Sequence, residues 1–349
     1  MPGPLSLPVR AALTLVLAWL AAQLCLWLHT PIPWMIGPLL ATAAASIAGL
    51  PTRSAVPLRQ GAQATIGAAL GLYFTPEVLA QLRPLGWAIA LGVAWALVLG
   101  MLMGRWLLHA NGAMPGLDAR TTFFAGGIGG ASEMTLLAER QGGRTDLVAA
   151  AHSLRMLMVT VLFPFGLQWS GLHGLDAAVP AVRQVDVAGL GLLAVVGLVG
   201  VFVVRRAGLA NPWFLGAFFG AALLTGLDLG WSGLPPPLVN AAQLVIGVSL
   251  GVRFMPGFVR SAPRWLASVA VGTLGMVLLC LLFAGGLAWL TGLPLATMVL
   301  AVAPGGITEM SITAKVLQLG VPVVVAFQVC RLVALLVLME PIHGALARR

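Results

Sequence analysis

The chain has 349 residues, of which 60% are hydrophobic and only 8% charged, and its mean hydropathy is +1.00. A soluble domain carries roughly 25% charged residues, so water is excluded as the main solvent and no soluble domain fits between the apolar stretches. The formal charge of +9 would suggest nucleic acid in a soluble protein. Here the arginines are scattered through short loops, and no basic helix, stacking platform or zinc-finger spacing accompanies them, which excludes nucleic acid as a partner. Cys25, Cys280 and Cys330 each sit inside an apolar run, as small buried residues do, so neither a disulfide framework nor a metal cluster is indicated.

In chain order, Arg10 precedes the apolar run 11–28, and Ala21 and Ala22 give it the outline of a secretory signal. Residues 187–204 occupy the corresponding place in the second half, so the segment is read as part of a repeat and retained. Four spans are predicted near 11–29, 33–50, 60–80 and 84–109, followed by two further apolar pieces, 121–138 and 147–171. The second half repeats the order with 186–204, 212–227, 237–256 and 264–290, then 295–316 and 320–346.

Three anchors carry the repeat. Pro33-Trp34-Met35-Ile36-Gly37 returns as Pro212-Trp213-Phe214-Leu215-Gly216. Gln63, Ile66-Gly67, Leu70-Gly71, Phe74 and Pro76 return as Gln243, Ile246-Gly247, Leu250-Gly251, Phe254 and Pro256. Gly129-Gly130-Ala131-Ser132-Glu133-Met134-Thr135 returns as Gly305-Gly306-Ile307-Thr308-Glu309-Met310-Ser311, and Arg155 returns as Arg331. The predicted units are 1–175 and 176–349.

Loop charge sets the direction, because Lys and Arg concentrate in short cytoplasmic loops. Arg10 places the N-terminus inside, and Arg53, Arg59, Arg105 and Arg120 then fall inside as well. If the last two pieces of each half make one net crossing, Arg205, Arg206, Arg253, Arg260, Arg264, Arg348 and Arg349 all fall inside; two crossings would move Arg205, Arg206 and the 253–264 cluster outside. An odd count makes the second copy inverted. The fold expected is therefore an all-α polytopic membrane protein of two inverted repeats. It makes about ten net crossings, with re-entrant or broken helices at the Gly-Gly segments and both termini cytoplasmic in a bacterial inner membrane.

Glu133 and Glu309 lie within apolar pieces, where an ionisable residue costs a few kcal/mol or more and marks a functional candidate. Their natural partners are Arg155 and Arg331, 22 residues on in both copies. In the functional reading, breaks at Gly129-Gly130 and Gly305-Gly306 bring helix ends to mid-membrane, where free amides and arginines hold an anion. Glu133 and Glu309 then bind protons or cations, with the Ser132, Thr135, Thr308 and Ser311 hydroxyls around them. In the competing reading each Glu–Arg pair only neutralises itself in a packed core.

Gly67 and Gly71, like Gly247 and Gly251, follow the small-xxx-small pattern of close helix packing. Gln63, Gln243 and Asn240 could reach a neighbouring helix or a solute equally well. His152 and Gln328 precede the arginines by one turn, and His152 is read either as a proton relay or as a hydrogen-bonded core histidine. The Pro-Trp-x-x-Gly elements read as interfacial helix starts.

Those elements and the two Gly-Gly-x-[Ser/Thr]-Glu-Met segments resemble the AbrB-type duplicated membrane protein family of Gram-negative bacteria, over nearly the whole chain. It is distinct from the small soluble AbrB regulators that bind DNA. The resemblance implies two labels, regulator of gene expression and ammonia monooxygenase. His29, His109, His152, His173 and His343 are dispersed, with no pair at helical spacing to hold an oxygen-activating metal. No nucleic-acid reader is present to regulate genes directly.

The reading reached is a transporter or permease for a small anionic or zwitterionic solute, coupled to protons or sodium, with no enzymatic activity and no cofactor. Its partners are the bilayer and the solute, with homo-oligomerisation left open. The alternatives are a membrane sensor acting on gene expression indirectly and, less favoured, a membrane oxidoreductase.

Overall fold

The computed structural model describes residues 6–172, 184–209, 211–229, 232–254 and 262–347, and every regular element among them is helical. Pro256, Arg260, Arg348, Arg349 and the side chain of Ser132 lie outside the described residues. The first half forms α1 (Leu7–Trp27), α2 (Pro33–Ile47), α3 (Val56–Gly71), α4 (Pro76–Leu82), α5 (Gly86–Asn111), α6 (Ala119–Gly126), α7 (Ala131–Arg140) and α8 (Thr145–Trp169). The second forms α9 (Val187–Arg206), α10 (Pro212–Gly226), α11 (Pro236–Gly251), α12 (Pro263–Thr291), α13 (Leu295–Val302), α14 (Ile307–Leu317) and α15 (Val321–Ala347).

Among the described residues, six helical stretches are long and apolar enough to cross a membrane: α1, α4 with α5, α8, α9, α12 and α15 up to Met339. Their large apolar side chains point outward, as lipid allows. Trp27, Trp169 and Trp289, at or near the C-terminal ends of α1, α8 and α12, are 74%, 81% and 85% exposed. α2, α10 and α11 are shorter than their apolar runs suggest, at 15, 15 and 16 residues, about 22–24 Å at 1.5 Å per residue. α2 and α10 start on a proline whose preceding residue, Ile32 or Asn211, has a positive φ of 48° or 52°. The fixed proline φ suits the first helical turn, and the preceding left-handed residue sets the sharp entry.

The chain divides into two compact units, and each draws on both halves of the sequence. One comprises Met1–Leu79 and Ala177–Arg260; the other comprises Ala80–Asp176 and Ser261–Arg349. In the first unit, α3 packs on α10 and α11 on α2, so each partner comes from the other half. Glycine makes this closeness feasible: Gly67 sits against the Phe214 carbonyl and Gly71 against that of Phe218, as Gly247 does against Met35 and Gly251 against Leu39. Between helices in lipid there is little hydrophobic driving force, and close van der Waals contact supplies the attraction instead. Gly37 and Gly216 serve the same purpose against α1 and α9.

In the second unit α8 and α15 are central, with 56% and 53% of their apolar windows buried, against 17–33% for the other long helices. α5 and α12 flank them and are clasped together. The Trp106 indole donates to the Ser268 carbonyl at 2.8 Å, the Asn111 amide to the Ser268 hydroxyl at 2.7 Å, and Trp95 stacks on Phe283 at 4.7 Å.

Candidate functional site

Each apolar piece with a Gly-Gly pair is a helix broken into two short arms. α6 ends at Gly126 and α7 starts at Ala131; α13 ends at Val302 and α14 starts at Ile307. The chain between is extended, with ψ of 140° at Gly127, 144° at Gly130, 139° at Ala303 and 151° at Gly306. Gly126 is pressed on the backbone of Gly100 and Gly104 in α5, and the Cys280 thiol of α12 donates to the Val302 carbonyl at 3.2 Å. Gly100 lies eleven residues before the end of its helix, and so does Cys280. Both breaks therefore face the middle of a long helix, about 16 Å from its end.

A break leaves carbonyls at the end of one arm and amides at the start of the next without helical partners. The arginines meet the carbonyls. Arg155 Nη2 donates to Gly127 at 2.9 Å and Nη1 to Ala125 and Gly126 at 3.4 Å each, while Arg331 donates to Ala303 and, at 2.6 Å, to Gly305. Each arginine is thus a cation at the negative end of a short helix. The neighbour one turn back completes the arrangement. His152 bridges Arg155 Nη2 and the Phe124 carbonyl, both at 2.9 Å. Gln328 accepts from Arg331 and donates to the Leu300 carbonyl at 2.8 Å.

The glutamates meet the amide ends. Glu133 and Glu309 are the third residues of α7 and α14, and both fold back on the residue that caps their helix. A Cβ added to Gly130 or Gly306 would land on the carboxylate. The carboxylates therefore lie beside the N-termini of α7 and α14, where the helix dipole favours negative charge. The sequence paired Arg155 with Glu133 and Arg331 with Glu309, but the guanidinium hydrogen bonds go to carbonyls and to His152 or Gln328. The physical reason is that the two ends of a broken helix carry opposite partial charge, so each ionised residue finds its complement in the backbone.

The two breaks come together within this unit. α8 carries Arg155, and one turn further its Val159 abuts Gly305, with Met156 against Gly306. Arg155 and Arg331 lie within electrostatic reach of one another. Both are buried, at 2% and 6% exposure, and the Nε of each has no acceptor, nor has the buried Ser311 hydroxyl. Glu309 is 4% exposed and Thr308 6%, whereas Glu133 and Thr135 are half-buried. Thr135 bonds back to the Ala131 carbonyl at 2.7 Å. Gln63 and Gln243 belong to the other compact unit, Gln243 buried and Gln63 half-buried.

The family model described as "Transition state regulatory protein AbrB" matches residues 34–347, which takes in both Pro-Trp elements and both breaks. The chain belongs to the AbrB family. A relative from Bacillus subtilis, "Uncharacterized protein YhjN", is 25% identical over 340 residues, covering 90% of this chain and 87% of that protein. Another, from Escherichia coli, bears the name "Putative regulator AbrB" and is 25% identical over 315 residues, 88% of each chain. For this AbrB chain, sequence reasoning left His152 and Gln328 outside the site; their equivalent spacing before Arg155 and Arg331 was the signal that could have placed them there.

Proposed function

We propose that this AbrB-family protein is a membrane permease for a small anionic or zwitterionic solute, and that the arginine-capped breaks form its binding site. One observation carries the reading. Two guanidinium groups are buried together in an apolar helical unit, each with an Nε–H that has no acceptor. A buried donor without a partner costs about 1–3 kcal/mol, and more on a charged group, so the arrangement is favoured when an acceptor-rich anion enters. The helix N-termini already hold the chain's own carboxylates, which makes the arginine Nε groups, rather than the free amides, the contact for the solute. Protonation of Glu133 or Glu309, or a cation beside it, would loosen that carboxylate from its helix end and couple the ion to the solute.

We infer further that the halves are inverted repeats in a bacterial inner membrane, with both termini cytoplasmic and each pair of short arms re-entrant. The reciprocal packing of α3 on α10 and α11 on α2 supports this. So does arm length: α6 spans 8 residues, about 12 Å, which reaches less than halfway through a core of about 30 Å. No enzymatic step or cofactor is assigned.

Uptake into proteoliposomes tests the reading, after a thermal-shift screen of carboxylates, amino acids, ammonium and inorganic anions has found a solute. Glu133→Gln and Glu309→Gln are expected to abolish coupled uptake while the protein remains folded. Uptake that survives both changes removes the coupling assignment. A second reading, a membrane sensor that affects gene expression indirectly, draws on the name of the Escherichia coli relative; it predicts ligand-induced stabilisation without uptake.

A further inference from the structure

One turn before its arginine, each break carries a different side chain in the same role. In the second, Gln328 uses its amide oxygen to accept from Arg331 and its amide nitrogen to donate to the Leu300 carbonyl. In the first, His152 occupies the same place, between Arg155 and the Phe124 carbonyl. A guanidinium has donors only, so His152 Nδ1 must accept, and Nε2 therefore carries the proton and donates to Phe124. The contacts thus assign the neutral Nε2–H tautomer, of which glutamine is the non-titrating equivalent. An imidazolium cannot fill this place, because its Nδ1–H would face the Arg155 Nη2–H.

Resting on the reading of these breaks as an anion site, we propose that His152 is a positioning residue that links one proton to anion binding at the first break. Gln328 leaves the second break without such a link. When His152 takes up a proton it can no longer accept from Arg155, and that Nη2–H becomes available to a ligand. Two adjacent buried cations are then compatible with the apolar surroundings only if an anion joins them. Proton and anion accordingly bind together, each raising the affinity for the other by the same factor.

The elements packed against α8 are α6, α7, α12 and α14. Their titratable and charged residues are Arg120 on α6; Glu133, Glu139 and Arg140 on α7; Arg264 and Cys280 on α12; and Glu309 and Lys315 on α14. On α8 itself are Asp146, which is bound to Arg144 at 2.7 Å at the surface, and Arg155. Arg331 of α15 lies within electrostatic reach of Arg155, and the hydrogen bond of the imidazole to a charged group goes to Arg155, so the link runs through it.

Purified full-length protein in nanodiscs, titrated with sulfate, nitrate and oxalate from about pH 8 to about pH 5.5, the range in which a histidine ordinarily titrates, tests the proposal by thermal shift. These anions keep a fixed charge there, so any pH dependence belongs to the protein. Wild type is expected to bind at least one of them more tightly as pH falls, by up to about tenfold per pH unit for one linked proton. His152→Gln is expected to flatten the profile, and Gln328→His to steepen it.

If His152→Gln keeps the wild-type slope, the role of His152 is overturned while the anion site stands. If no anion stabilises wild type at any pH, the anion site itself falls and this proposal with it. Nitrogen-15 NMR of a chain whose other four histidines are replaced is expected to show a bare Nδ1 and a protonated Nε2 near neutral pH. The opposite tautomer overturns the proposal without recourse to any binding data.

Discussion

A carboxylate and a guanidinium in an apolar bundle are expected to find each other, and here the guanidinium hydrogen bonds go to backbone carbonyls while each carboxylate lies at the start of a short helix. Glu309 shows how little room that arrangement leaves. Its carboxylate occupies the space that a Cβ on Gly306 would need, and Met156 closes in at 2.8 Å. The backbone at Gly306, with φ −74° and ψ 151°, is one that alanine adopts freely, so Gly306→Ala acts by displacing the Glu309 carboxylate and the flexible end of Met156 rather than by backbone strain. It is expected to cost about 0.5–2 kcal/mol, the worth of a helix N-cap, and to depress coupled uptake by far more. Comparing melting temperature with proteoliposome uptake separates the two effects. The carboxylates were legible in the sequence because charge inside an apolar run is conspicuous. The partners of the arginines were not, because carbonyls are present in every residue and only tertiary placement selects Ala125, Gly126 and Gly127 over the rest.

Among elements, the informative contrast lies between glycines that touch backbone and glycines that touch nothing. Gly67 and Gly247 abut the carbonyls of Phe214 and Met35, which belong to helices and cannot swing aside, whereas Gly285 and Gly286 of α12 have no atom near a hypothetical Cβ. Gly67→Ala or Gly247→Ala is therefore expected to spread the α3–α10 or α2–α11 seam and to destabilise by about 1–3 kcal/mol, as overpacking does. Gly285→Ala is expected to stabilise by up to about 1 kcal/mol through helix propensity. Melting of the three variants in one detergent measures both signs; equal effects would refute the seam. The small-xxx-small pattern disclosed that these glycines pack closely. It did not disclose on which helix, because a duplicated sequence offers each face two equivalent partners and the fold takes the one from the other half. The apolar run also overstated α2, since hydropathy continues to Leu50, past Gly49, whose φ of 85° follows a helix already ended at Ile47.

For the whole molecule, the distribution of loop arginines bears on which loops face which side. With Arg10 inside and one net crossing for each α6–α8 and α13–α15 set, the C-terminal ends of α1, α8 and α12 all reach the outer face. Those ends carry Trp27, Trp169 and Trp289, three strongly exposed indoles, which suits headgroup depth at either interface. Arg53, Arg59, Arg105, Arg120, Arg205, Arg206 and Arg264 fall on the opposite side, whereas Arg83 and, by chain order, Arg183 do not. If the sets crossed twice, Trp169 would move to the inner side and Arg205 with Arg206 to the outer. A fluorescent fusion that matures only inside and a phosphatase fusion active only outside distinguish the two. After residue 117 the fluorescent fusion is expected to be bright, and after residue 293 the phosphatase is expected to be active. The decisive position is after residue 207, where one net crossing predicts fluorescence and two predict phosphatase activity.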